Sequence, residues 1–103
     1  MSEQLNIEDF SKNLNTKFKF YRADDEIFEG ELVEVWELKN DNTLYSFAIE
    51  FQLPADFGFD QRIYKIEHDE LGTMELFIVP VWKNKSGLRY EAIFNRLVRK
   101  DLM

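Results

Sequence analysis

Cysteine is absent from the 103 residues. That removes disulfides, thiolate metal sites and any cysteine nucleophile. Proline occurs twice and glycine four times, so each marks a turn or break, and no linker, repeat or low-complexity tract is visible. Histidine occurs once, and cations are outnumbered: 13 Lys and Arg against 20 Asp and Glu, a net charge of −7. Nucleic-acid backbones and anionic membranes are poor partners for such a surface. Long apolar runs are missing too. The longest, Leu76-Phe77-Ile78-Val79-Pro80-Val81, falls far short of the roughly 20 residues that span a bilayer. The start, Met1-Ser2-Glu3-Gln4-Leu5-Asn6, has neither the basic nor the apolar region of a secretory signal. These absences predict a soluble, cytoplasmic protein, or one assembled inside a cell and later released in a particle, with neither nucleic acid nor membrane as partner.

What is present is aromatic: 16% of the chain, including ten Phe, within 45% hydrophobic residues. Disordered chains are poor in such residues, so residues 1–103 read as one folded domain. Most of it alternates with a period of two, the signature of strands. Thr16 to Arg22 sets Phe18 and Phe20 against Lys17, Lys19 and Tyr21. Leu44 to Gln52 puts Tyr45, Phe47, Ile49 and Phe51 on one face. Arg62 to His68 groups Tyr64, Ile66 and His68 opposite Ile63, Lys65 and Glu67. Leu88 to Asn95 points Leu88, Tyr90, Ala92 and Phe94 inward. Thr73 to Val81 is apolar on both faces from Leu76 onward, which predicts a central strand covered on two sides. Glu26 to Leu38 changes phase: Phe28, Gly30 and Leu32 favour one face, Val33 and Val35 the other. A bulge between Gly30 and Glu34 reconciles them.

Turn-forming residues join these strands at Ala23-Asp24-Asp25, Asn40-Asp41-Asn42, Asp69-Glu70-Leu71-Gly72 and Lys83-Asn84-Lys85-Ser86-Gly87. Only the Leu53–Gln61 connection is longer. Within residues 1–15 a helical turn opens the domain, with Asn6 as cap and Phe10 and Leu14 on one face. Residues 96–103 form a short amphipathic tail, either a helical turn or a frayed end. The prediction is an all-β domain: a small six-stranded antiparallel meander closing into a barrel or a two-sheet sandwich. Closure would also hide strand edges in so Phe-rich a chain.

The second half carries a distinctive string: Tyr64-Lys65-Ile66-Glu67-His68, Leu71-Gly72, Glu75-Leu76-Phe77-Ile78-Val79-Pro80-Val81, then Arg89-Tyr90-Glu91-Ala92-Ile93-Phe94-Asn95. It resembles a family of small bacterial proteins described only as a domain of unknown function. The first half fits more loosely, through Leu32-Val33-Glu34-Val35 and Ser46-Phe47. The resemblance implies an all-β fold and supplies no catalytic residues. Some relatives lie near genes for tail-collar or tail-fibre-like proteins, which implies an accessory or assembly role for such a component. Asp69 stands where relatives often have Pro, which implies a looser turn, and residues 96–103 run past the family's usual end.

Candidate sites each have a structural alternative. His68 lies among Glu67, Asp69 and Glu70, but neighbouring strand residues point to opposite faces. A strand-end His bonding a turn is the expectation, rather than a metal ligand or general base. The acidic run from Asp24 to Glu37 includes Glu29 and Glu31 and reads as a solvated face, or as a dock for a basic partner. Arg89 and Glu91 share a face and, with Asn95 and His68, suggest a structural polar network. Phe57 and Phe59 flank Gly58 in the long loop, either as a partner-binding lip or as plugs of a barrel mouth. Trp36 and Trp82 join that surface or the rim of the core.

No nucleophile, base and orienting group fall into a recognisable set, and no phosphate loop or H-E-x-x-H motif is present. No metal or cofactor is expected. The sequence therefore predicts a non-catalytic structural or protein-interaction module, with a protein partner or self-association. The alternative is a small barrel holding an apolar molecule inside.

Overall fold

The computed structural model describes residues 5–97. It contains a short helix α1 (Ile7–Ser11), strands β1 (Lys17–Ala23), β2 (Glu26–Asn40) and β3 (Leu44–Leu53), a 3₁₀ turn at Ala55–Phe57, and strands β4 (Arg62–His68), β5 (Gly72–Asn84) and β6 (Gly87–Leu97). All strand pairings are antiparallel, and the order β1-β2-β3-β6-β5-β4 closes through a β1–β4 pairing into a barrel. The all-β class and the six antiparallel strands are as the sequence predicts. Of the two closures the sequence allows, the strands form the closed ring, and only the continuous meander is corrected. β1-β2-β3 and β4-β5-β6 are each meanders, but β4 returns beside β1 and β6 lies beside β3, a Greek-key arrangement. The reason lies in the one long connection, residues 54–61, which is not a hairpin and so carries the chain across the barrel end.

Alternation fills the interior. Phe18, Phe20, Phe47, Ile49, Phe51, Tyr64, Ile66, Ile78, Leu88 and Tyr90 are all buried. Phe51 meets Phe18 and Phe20 edge-on, with ring centroids 5.1 and 4.9 Å away, the geometry aromatic quadrupoles favour. Gly30 faces inward because nothing larger fits: a Cβ there would lie 2.6 Å from Phe20 and 2.7 Å from Leu53.

The phase change in β2 is a bulge at Val33. Leu32 stands opposite Phe51 and Glu34 opposite Glu50, with a register shift between them. The extra residue turns Val35 inward, where it packs against the core. A second shift falls between Glu37 and Lys39.

The expectation that β5 is covered on both faces is corrected. Ile78 is buried, while Phe77 is 53% and Val81 40% exposed. A closed ring has one inside, and β5 has nothing over its outer face. β3 is the doubly buried strand, from Ser46 through Phe51. It lies between the long strands β2 and β6, and its outward Ser46 and Glu50 are engaged by Asn95 and Arg89 of β6.

At one end of the barrel α1 is capped by Asn6. Its Oδ1 accepts from the amides of Glu8 and Asp9, both at 3.1 Å, and Asp9 accepts from the Asn6 amide at 2.9 Å. Phe10 packs against the stacked pair of Phe94 and Phe47, with centroids 5.3 and 6.1 Å away. Leu14 does not share that face: the helix ends at Ser11 and Leu14 is exposed. Arg96 and Leu97 extend β6 instead of starting a helical or frayed tail. Residues 1–4 and 98–103, where the rest of the two predicted terminal segments falls, lie outside the described residues.

Candidate interaction surface

The register places outward side chains in rows that cross several strands. In the first row Lys17, Glu31, Gln52, Arg89 and Trp82 face one another in sequence across β1, β2, β3, β6 and β5. In the second, Glu34, Glu50, Glu91 and Val79 do so across β2, β3, β6 and β5. The third is apolar: Trp36 opposite Ala48, Ala48 opposite Ile93. On the neighbouring strands Phe77 and Ile63 face each other across β4–β5.

The polar rows hold their own charges. Arg89 donates to Glu50 at 2.6 Å and to Gln52 Oε1 at 2.8 Å, and its guanidinium lies 5.2 Å from the Trp82 ring centroid. Gln52 and Asn84 exchange side-chain hydrogen bonds. This pins β3, β5 and β6 together, and the mostly buried Arg89–Glu50 pair is satisfied on several sides, as a desolvated pair requires. Burial, and then the neighbouring Glu50, push the Glu91 carboxyl above its usual range. Further along, Ser46 donates to Asn95 at 2.7 Å. Arg89 therefore pairs across strands rather than with Glu91 on its own strand.

His68 stands apart from that network, at the end of β4. Its Nδ1 accepts from the amides of Glu70 (3.0 Å) and Leu71 (3.1 Å). Nδ1 therefore carries no proton, and Nε2–H donates to Thr16 Oγ1 at 2.9 Å, which in turn donates to the Asn13 carbonyl at 2.7 Å. The ring rests on Phe18, 4.2 Å between centroids. Every polar atom of the imidazole is engaged, and burial pushes its pKa below 6.5 against the pull of Asp69 and Glu70. The turn that follows is held by this side chain, so the absence of Pro at position 69 does not leave it loose. Among the described residues no group of three His, Cys, Asp or Glu side chains is arranged to hold a metal ion, and no helix is long and apolar enough to cross a membrane.

The aromatic pair in the long loop divides. Phe57 is fully buried and Phe59 is 63% exposed. Phe57 is thus removed from the candidate partner surface: it plugs the barrel mouth among Phe28, Tyr64 and Tyr90, with centroids 5.3, 5.1 and 5.2 Å away. Arg22 clamps the loop from outside, donating to the Phe57 carbonyl at 2.7 Å. Tyr90, its pKa raised to about 12 by burial, donates to the Gly58 carbonyl and accepts from the Asp60 amide. Trp82 is half exposed and Trp36 partly covered. Glu29 and Glu31 lie opposite Lys19 and Lys17, on the β1 side of the ring, and do not converge with the tryptophans.

The residues missed by sequence reasoning are Ile63, Phe77 and Ile93, exposed by 63, 53 and 55%. The available signal was their parity. Each occupies an outward position in a strand whose other outward positions include charged residues, such as Lys65, Glu75 and Glu91. Beside them lies a groove of about 330 Å³, lined by Glu75, Phe77, Val79, Glu91 and Ile93 among others.

A small closed antiparallel barrel with an aromatic interior, and with Ile63, Phe77 and Ile93 exposed among polar rows outside, defines the class of this protein: a compact all-β domain. The chain belongs to the family DUF6916, a domain of unknown function, whose family model matches residues 5–94. No curated protein and no solved structure matches it.

Proposed function

We propose that this domain is a non-catalytic protein-interaction module that works through the outer face of β4, β5 and β6. The observation that carries this reading is the exposure of Ile63, Phe77 and Ile93 on adjacent strands. Each leaves more than half of a large apolar side chain in water, at roughly 1.5–3 kcal/mol per side chain relative to burial. Clustered exposure of this kind marks association surfaces. An accessory or assembly role for a tail- or fibre-like component fits such a module and rests on the resemblance alone. A ligand inside the barrel is disfavoured by the rings of Phe18, Phe20, Phe51, Phe57 and Tyr90 that occupy it.

A photo-crosslinker tests the reading when it replaces Phe77 and, as the control, Lys19 on β1, across the ring from β6. The 77 position captures one dominant species in the native host, another protein or a second copy, and the 19 position does not. Equal capture at both positions, or none at 77, rejects the reading.

A further inference from the structure

The seam between β5 and β6 is only half closed. Their register runs from Asn84 opposite Gly87 to Val79 opposite Glu91 and stops. Two residues further it would set Phe77 against Ile93, but the strands diverge there. Beyond that point β5 pairs with β4 alone, as far as Gly72, and β6 pairs with β3 alone, as far as Leu97. Among the described residues no ladder pair joins 73–78 to 92–97. Each strand therefore turns one row of amide and carbonyl groups toward the opening. Such groups are obligatory hydrogen-bonding partners, and an unpaired row is a template for another strand.

The other short seam is treated differently. β1 and β4 pair only from Lys19–Tyr21 to Lys65–Glu67, but side chains bridge both ends. Arg62 donates to the Arg22 carbonyl at 3.2 Å, and His68 is bonded to Thr16. At the β5–β6 opening there is instead the 330 Å³ groove, with the exposed Phe77 and Ile93 on opposite walls.

We propose that this opening is a strand-addition site for an extended segment of another protein in which apolar and cationic side chains alternate. The proposal rests on the interaction-module reading and names its mode and the partner's chemistry. Backbone pairing to an edge provides affinity, and pockets for alternate side chains provide selection. Side chains of an added strand alternate between its two faces. The apolar ones turn inward, toward Leu76, Ala92 and Phe94, which also line the groove. The cationic ones turn outward, where Glu75 and Glu91 flank Phe77 and Ile93 on the two strands. Glu91 is already crowded by Glu50, so a cation there relieves a repulsion. A second copy is the poorer occupant, because each chain carries a net charge of −7 and would bring carboxylates against carboxylates.

The probe is a blocked hexapeptide of alternating valine and lysine, titrated into the full chain and followed by amide NMR and hydrogen exchange. Amides within 75–78 and 92–95 shift, and those facing the groove exchange roughly tenfold more slowly at saturation. A glutamate-for-lysine peptide and a peptide N-methylated at every second amide each bind at least roughly tenfold more weakly. Phe77→Lys weakens the parent peptide similarly without changing the thermal midpoint. Equal binding by the N-methylated peptide at the same residues overturns strand addition, as do shifts confined to other surfaces or no binding at all. The crosslinking experiment at position 77 reads the broader module proposal separately, so the two fail independently.

Discussion

One imidazole ties the β4–β5 turn to the start of β1. His68 accepts two amide hydrogen bonds at Nδ1 and donates one from Nε2, and protonation would destroy both acceptances at once. Its folded pKa is lowered below the unfolded 6.5 by burial. Between those two values the unfolded chain binds more protons than the folded one, so stability rises with pH. The contribution is complete above 6.5 and declines as pH falls below it, levelling once the folded pKa is passed. Glu91, raised above 4.5 by burial, acts with the opposite sign over a window that begins at 4.5 and is common to wild type and any His68 variant. The urea midpoint of the wild type should therefore fall between about pH 7.5 and about pH 5.5. His68→Asn keeps a side-chain acceptor near the Nδ1 position and loses the Thr16 bond and the Phe18 contact. It should cost about 1–3 kcal/mol at the higher pH and show no decline toward the lower. Parallel pH profiles for the two proteins would refute this account.

At the scale of an element, the 54–61 connection shows what periodicity can and cannot carry. The six strands were legible because alternate residues must face one solvent and one interior, and the bulge in β2 was legible because Val33 and Val35 broke that parity. Asn6 was legible as a cap from its residue type. Phe57 and Phe59 were not separable, since two rings on either side of a glycine look equivalent in sequence. What separates them is the backbone: a 3₁₀ turn through Phe57 followed by Gly58 at φ 96°, a conformation open to glycine at little cost. The chain reverses there, so residues two apart no longer share a face. The outer face of β5 was misread for a different reason. An apolar run reports the side chains, and whether a second layer covers them is a property of topology.

The consequence for the loop is measurable by urea unfolding. Phe57→Ala empties the barrel mouth and should cost about 3–5 kcal/mol. Phe59→Ala should stay within about 0.5 kcal/mol of wild type. Comparable costs at the two positions would contradict the plug.

Across the whole molecule the six seams of the ring are unequal. β3 is paired along its full length with β6, from Leu44 opposite Leu97 to Leu53 opposite Leu88, and nearly as far with β2. It is also the strand buried on both faces. By contrast β1 and β4 meet over three residues each, and β5 meets β6 only beyond Val79. A closed barrel abolishes edges only where its seams are paired, so this ring consists of a well-paired β1-β2-β3-β6 wall and a β4-β5 hairpin fastened to it by two short seams. Opening that hairpin breaks only those two short seams and leaves the β2–β3 and β3–β6 ladders paired, so it needs less than global unfolding. Native-state hydrogen exchange should therefore rank the amides. Those of Phe47 to Phe51 should exchange only through global unfolding, while those pairing β1 with β4 should be at least roughly tenfold less protected and less sensitive to denaturant. Uniform protection around the ring would mean that the seams open together. The ranking predicted here places the labile side of the barrel where Phe77 and the unpaired edges lie, so a strand bound there should raise the protection of the β4-β5 hairpin and leave β3 unchanged.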